Sequence, residues 1–523
     1  MKKKFLAAGL LLTMAVAGCG GDGAKDKKAA PAKEEIVISV GTNLVAGKFD
    51  PTAGYGVWAP DIFHVHLLKV GAGNKLVNDL ATKETISADG LTYTYEIRKD
   101  AKFSDGKPLT AKDVAFTFNT TMKKASAADL TMVQSVTAKD ATTVEFKLKK
   151  VWSTFPFALA AVGIVPEHAY KAGYGDAPVT SSAWKIAEFK KNQQLILVPN
   201  EHYYGPKPKF KKVTVMKLDE DAALAAAKSG QLDLVLISPE FAKNKVNGMS
   251  IKELPSIDAF GINLPVAKET VNAKGVKVGN NITADPAIRK ALEIGIDRKT
   301  IIKNALNGWG SPAYAANPNL PWSNGYKFED NKVEEAKKIL ADAGWKDTNG
   351  NGIVDKNGVE AEFVITGRSN DMARYNTVVA LADNAKKLGI KIVPKAAPWN
   401  ECRKAQNIPT CWVFGQPDPI EVYRYYHTSQ MGVSVIGNPA SISNKEADAL
   451  IEKGIAQTNR EEANKFFKQA LGVAEKETPY LYICYPQATY YVRDGLQIPD
   501  LGKIPNRGQG ISIAENMNEW SWK

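Results

Sequence analysis

Five stretches alternate apolar and polar residues with the two-residue period of a strand: Ile36 to Val40, Leu91 to Ile97, Thr142 to Leu148, Gln194 to Pro199 and Val213 to Leu218. Helical periodicity dominates later in the chain. Asp285-Pro286 reads as an N-cap with proline at the first helical position, opening an apolar-periodic helix through Ala291, Leu292 and Gly295. Asp297 should cap the next helix, which Gly308 ends; Asp330 to Ala343 repeats the pattern, with Gly344 as its stop. Ser443-x-x-Glu446 and Thr458-x-x-Glu461 read as capping boxes that open the last long helices. Strands and helices in irregular alternation imply α/β lobes. No internal repeat is present.

The pattern fails at the N-terminus. Lys2, Lys3 and Lys4 precede an apolar run from Phe5 to Ala17, too short to span a bilayer, so residues 1–18 read as a signal peptide. The run ends in Val16-Ala17-Gly18-Cys19, which resembles the lipobox of bacterial lipoproteins; that resemblance implies cleavage before Cys19 and lipidation of its thiol. Several acyl chains anchor stably where one would not. Residues 19–33, rich in Gly, Ala, Lys and Asp, cannot bury a core and read as a flexible tether. A formal dinucleotide fingerprint, Gly18-x-Gly20-x-x-Gly23, has no strand before it and carries no meaning.

Composition changes the picture little: 44% hydrophobic, 24% charged and 9% aromatic residues describe an ordinary globular chain. About 490 residues beyond the tether exceed one core, so at least two lobes are expected. The formal charge of +12 is scattered among acids, with only short clusters such as Lys207 to Lys212; nucleic-acid binding is not implied. Besides Cys19 there are Cys402, Cys411 and Cys484. An oxidising compartment would permit a Cys402–Cys411 disulfide, leaving Cys484 as a buried thiol. The chain has no Gly-x-Ser-x-Gly elbow, His-Glu-x-x-His or phosphate-binding loop, and five histidines are a poor supply for acid–base or metal chemistry. Abundant aromatics suit a binding cleft instead.

Four segments, in order, resemble the family 5 extracellular solute-binding proteins of ABC importers, which take up peptides, nickel complexes and related solutes. Phe103-Ser-Asp-Gly-Lys-Pro-Leu-Thr-Ala-Lys-Asp-Val-Ala-Phe-Thr-Phe118 is similar to the family's most recognisable stretch. Gly230 to Leu234, Ala287 to Arg298 and Lys332 to Trp345 are similar to three further segments. The resemblance implies an α/β, two-lobed periplasmic-binding-protein clamp of type II with an extra inserted subdomain. Lobe I would comprise residues 34–263 plus 479–523, with the insertion at about 49–178; lobe II would comprise 264–478. Solute would sit between the lobes, which close by a hinge motion. The implied protein is a monomer on the extracytoplasmic face of a bacterial membrane, without cofactor, delivering its solute to a permease.

The resemblance also points to site residues. Trp412 in Trp412-Val-Phe-Gly-Gln-Pro-Asp-Pro419 matches an aromatic wall of the cleft, and Asp418 a closing Asp-Pro; Asp418 equally reads as the cap of the turn before Ile420. The acid that holds a peptide's ammonium in dipeptide-binding members falls on Gly415, which implies a solute with an anionic group and no need of a free amine. Arg368 matches their carboxylate-binding arginine, with Arg374 as a weaker substitute; a surface ion pair is the plainer role. His427 reads as a packed histidine or as a ligand of a chelated metal. His64-x-His66 lacks ligand partners, and Asp347-Thr-Asn-Gly-Asn-Gly352 lacks the closing glutamate of a calcium loop and reads as a tight turn. A secreted hydrolase and a receptor feeding a sensor are the competing functions.

Overall fold

The computed structural model describes residues 33–41, 43–45, 47–57, 61–124, 128–402, 404, 406–434, 437–499 and 510–523, without the side chains of residues 413 and 414. The expected signal peptide, Cys19 and its tether lie outside them, apart from Lys33. Residues 34–523 form one compact unit.

The expected strands form, with ends displaced by one or two residues. Glu35–Ser39 pairs in parallel with Lys212–Met216 and with Leu234–Ile237, and Gln194–Pro199 and Trp184–Lys190 extend the sheet antiparallel. The sheet continues through Tyr480–Arg493, Ala259–Asn263 and Cys411–Phe414. A second, four-stranded antiparallel sheet lies within residues 81–148. Its alternation is read out directly: Val144, Phe146 and Leu148 are buried, while Glu145 and Lys147 face outward. Phe118 of the helix Ala111–Met122 packs edge-on against Phe146 at 5.1 Å. Asp113 opens that helix by accepting from the Thr110 N–H at 2.9 Å, so the Phe103–Phe118 motif is an architectural element.

Two segments carry the chain between the halves of the large sheet. Met249–Pro255 and Ala259–Asn263 are separated by Ser256-Ile257-Asp258. The long strand Tyr480–Arg493 pairs with Ala259–Asn263 through Tyr480 to Cys484, and with Met249–Pro255 from Gln487 onward. Pro486, which has no N–H to give a ladder, stands at the changeover. These adjacent breaks are where the sheet can bend.

Helix starts differ in one instructive way. Asp285 and Asp297 cap as expected, accepting from the N–H groups of Ala287 and Thr300. The two late helices, Lys445–Ile455 and Arg460–Ala474, are capped not by Ser443 and Thr458 but by Asn444 and Asn459. Each asparagine oxygen accepts from two backbone N–H groups. Asn444 adds a hydrogen bond to Glu477 at 3.0 Å. The helix Arg298–Leu306 ends at Asn307, already left-handed at φ 49, one residue before Gly308. The third helix runs over Val333–Asp342, starting later than Asp330, and Gly344 follows at φ 89.

Arg298 pins the second half of the molecule. It is 1% exposed, and its Nε is shared between the carbonyls of Ala313 and Tyr482 at 2.9 and 2.8 Å. Asp330 lies 3.3 Å from its Nη1. A buried guanidinium with these partners is a structural charge, costly to remove from either side. The segment 81–164 shares one hydrophobic core with the helices of residues 440–474, and Arg460 pairs with Glu84 at 2.5 Å.

Candidate functional site: a cleft at the sheet break

The sequence places Arg368 at the end of the strand Glu362–Arg368, whose parallel partner Lys391–Ala397 leads into the short helix Trp399–Cys402. This geometry sets the Arg368 guanidinium over the Trp399 ring at 5.1 Å. Trp399 in turn meets Trp412 edge to face at 5.0 Å. Trp412 is 4% exposed, and its Nε1 donates to Asn263 Oδ1 at 2.6 Å. Trp412 therefore buttresses the site from the core, and the half-buried Trp399 is the aromatic surface beside the arginine.

Arg374 lies one helical turn into Met372–Ala385, whose N-cap is Asp371. Its Nε is 3.0 Å from Asp371 Oδ2 but off the hydrogen-bonding direction, and is left without a hydrogen-bond partner. The buried Nε of Arg368 is likewise unpartnered. Burial, and then the neighbouring Arg374 charge, holds the Arg368 guanidinium below its ordinary pKa. The two cations feel one another's charge, and Asp371 acts on both in the opposite sense.

Arg374 and Asp371 line a cavity of about 270 Å³ together with Ile237, Ser238, Asp258 and Gln487. A second cavity of about 420 Å³ shares Ser256, Pro486 and Gln487 with the first and is flanked by Tyr314 and Lys327. Both therefore open at the break in the large sheet.

Gly415 has φ 138, and a Cβ there would stand 2.2 Å from Ile257 O and 2.8 Å from Asp258 Cα. No side chain fits, acidic or otherwise. The N–H groups of Gly415 and Gln416 both donate to Glu421 Oε2, at 3.0 and 2.9 Å. Asp418 accepts from Ile420 N–H at 2.9 Å and caps the turn; it also lines a smaller cavity of about 80 Å³ with Asp129, Trp152 and Arg424. Burial pushes Asp258, Asp418 and Glu421 each up to about 7.

The remaining candidate residues make local contacts. His427 Nδ1 accepts from Ser429 N–H at 3.1 Å, and Nε2 faces Glu452 Oε1 at 3.4 Å; it lines none of these cavities. His64 is locked between Asp61 and Tyr174. Asp347 accepts from Gly350 and Gly352 N–H, closing a tight turn. Among the described residues, no three His, Cys, Asp or Glu side chains are placed to hold a metal ion. The expected Cys402–Cys411 bridge is not formed: Cys402, Cys411 and Cys484 are free, buried thiols. The Cys402 thiol turns to Ala397 O at 3.5 Å, and Cys411 is enclosed in the core around Ile262, where burial pushes it up to about 12.

Arg368, Trp412 and Arg374 thus come together, while Asp418 borders a separate cavity and His427 stands apart. Trp399, Asp258 and Glu421 escaped the sequence reading. A lone acid in the apolar run Ile257 to Asn263 was a usable signal, because an uncompensated buried carboxylate is costly.

Residues 75–432 match the sequence profile of the bacterial extracellular solute-binding proteins, family 5 Middle. The chain belongs to this family. Family 5 members are solute-binding components of ABC importers. The oligopeptide-binding protein AppA of Bacillus subtilis is 27% identical, over 93% of this chain and 94% of its own. The crystal structure of AppA with a nonapeptide superposes with a TM-score of 0.71 and 25% identity, covering 94% of this chain and all of that one. NikA of Brucella suis, solved with Fe(III)-EDTA, gives a TM-score of 0.79 at 21% identity, covering 94% of this chain and 100% of that one. The family 5 fold is the two-lobed, type II periplasmic-binding-protein clamp expected from the sequence.

Proposed function

We propose that this protein is the extracytoplasmic substrate-binding lipoprotein of an ABC importer, capturing a carboxylate-bearing solute and delivering it to the permease. Peptides, metal chelates and small organic acids are the solutes in question. AppA bound to a nonapeptide and NikA bound to Fe(III)-EDTA both support that range, since each ligand carries carboxylates. The lobes are residues 34–263 with 479–523 and residues 264–478, with the insertion at about 49–178, and lipidated Cys19 tethers a monomeric clamp to the membrane.

One observation carries the reading. Arg374, buried and lining a cavity at the sheet break, and the half-buried Arg368, which feels its charge, each have a buried Nε without a hydrogen-bond partner. Planar guanidinium forks suit carboxylates in two-point contact, and a bound carboxylate would relieve both the mutual repulsion and the missing hydrogen bonds. Trp399, held by Trp412, supplies a stiff apolar wall, and Asp418 a polar group at the neighbouring cavity. Thermal-shift screening of di- and tripeptides, citrate and nickel–histidine chelates tests this. A solute at a hundred times its dissociation constant adds about 2.7 kcal/mol of stability. Arg368→Ala and Arg374→Ala should each abolish the shift, as should amidation of the solute's carboxylate. Shifts that survive both arginine substitutions would overturn the proposal.

A further inference from the structure

The strands Ala81–Ile86 and Thr92–Ile97 form a hairpin whose turn carries Gly90 at φ 69. A Cβ on Gly90 would stand 2.5 Å from Thr458 Cγ2 and 3.2 Å from Val151 Cγ2. The hairpin tip therefore touches the loop between the two late helices, with no room for a side chain. Two residues beyond Val151, the buried Ser153 donates its N–H to the Ile455 carbonyl at 2.9 Å, filling one of the acceptors that a helix end leaves open. Glu84, on the first hairpin strand, accepts from the Tyr95 hydroxyl at 2.6 Å, and the same Oε2 accepts from Arg460 Nη2. Trp152 and Tyr423 meet edge to face at 5.9 Å, and Asp129 lies 3.7 Å from Arg424. The cavity of about 80 Å³ is lined from both segments, by Asp129 and Trp152 and by Asp418 and Arg424.

All these contacts join the proposed insertion to the proposed second lobe. Shared apolar packing favours keeping them together. Parting them returns each polar group to water, and gives the buried Arg460 Nε the hydrogen bond it lacks when they are joined. Such a contact is reversible. We propose that the hairpin tip and the segment from Ile455 to Arg460 form a latch that holds the clamp shut and must part whenever solute enters or leaves. Glu84 and Arg460 are its positioning residues: neither lines the three cavities described above, and together they set how long the closed form lasts. The latch goes beyond the carboxylate reading and does not depend on which solute is held.

Gly90→Cys with Thr458→Cys places two thiols where a disulfide can close. The full-length double variant is stripped of solute by unfolding and refolding in reductant; half is then oxidised and the linked peptide mapped by mass. Both halves are incubated with the small-molecule fraction of yeast extract, washed and denatured, and the released molecules are weighed by mass spectrometry. The reduced protein should capture solute and the oxidised protein none, with reduction restoring capture. In an otherwise unaltered chain, Arg460→Ala and Glu84→Gln should each lose captured solute about fivefold faster on washing, and the gap to the wild type should narrow in high salt. A merely structural role would lower the melting point without that salt dependence. Equal capture by the reduced and oxidised protein, failure of the disulfide to form, or loss rates equal to the wild type would overturn the latch. A captured solute that lacks a carboxylate overturns the reading above and leaves the latch standing; no capture by any of these proteins, wild type included, overturns both.

Discussion

Replacing Gly415 by alanine probes the packing that builds the cleft wall. At φ 138 the position lies in backbone territory that only glycine occupies freely, which costs any other residue about 1–3 kcal/mol. The added Cβ would fall 2.2 Å from Ile257 O and 2.7 Å from its carbonyl carbon. Neither atom can retreat easily, because Ala259 and Phe414 pair on the ladder immediately beyond. Overpacking of that kind costs about 1–3 kcal/mol more, giving about 2–6 kcal/mol in all. Unfolding entropy of about 2 cal/mol/K per residue over about 490 residues converts this to a melting-point drop of about 2–6 °C. Gly472, inside Arg460–Ala474 with nothing within 4 Å of its would-be Cβ, is the control. Gly472→Ala should raise stability by about 0.5–1 kcal/mol. Melting followed by circular dichroism reads both. A Gly415→Ala protein that melts within about 1 °C of the wild type would refute the reasoning.

Two further outcomes follow from the electrostatics and the caps. Asn444→Ala and Asn459→Ala should each cost about 1 kcal/mol, and Ser443→Ala and Thr458→Ala clearly less, measured by denaturant unfolding; the opposite order would restore the serine and threonine caps. Glu421 is raised from 4.5 to about 7 by burial, so its protonated form is the one the fold favours. The stability it contributes is complete below about pH 4.5 and is lost as pH rises through about 7, a swing of at most about 3 kcal/mol. The melting point should therefore climb from pH 8 to pH 5, with Asp258, Asp418 and Glu475 acting in the same direction. Glu421→Gln, which can still accept from both N–H groups, should flatten the climb; an unchanged pH profile would contradict the burial of that charge.

Much of the fold was legible because burial on one face writes itself into the alternation, as in Thr143–Leu148. The caps misled by one residue because Ser443-x-x-Glu446 and Thr458-x-x-Glu461 satisfy the pattern while the adjacent asparagines reach two N–H groups each. At the site, Arg368 and Trp412 were visible as single positions. Trp399 was not, and Asp258 showed only as a lone acid in an apolar run, since their meaning comes from segments about 150 residues apart that meet only where the sheet breaks. The proposed disulfide failed for a similar reason. Nine positions of spacing do not reveal that Cys402 lies on a helix with its thiol toward Ala397, while Cys411 lies on a strand inside the core.

The most direct test of the central claim, that paired arginines hold a carboxylate-bearing solute in the cleft, works whatever that solute is. Wild-type protein and an Arg368→Ala, Arg374→Ala double variant, each folded by circular dichroism, are incubated with the small-molecule fraction of yeast extract, washed and denatured, and the released small molecules are weighed by mass spectrometry. The wild type should release a carboxylate-bearing solute at near-stoichiometric amounts, and the double variant none. Equal release from both proteins, or a retained solute without a carboxylate, would contradict the account.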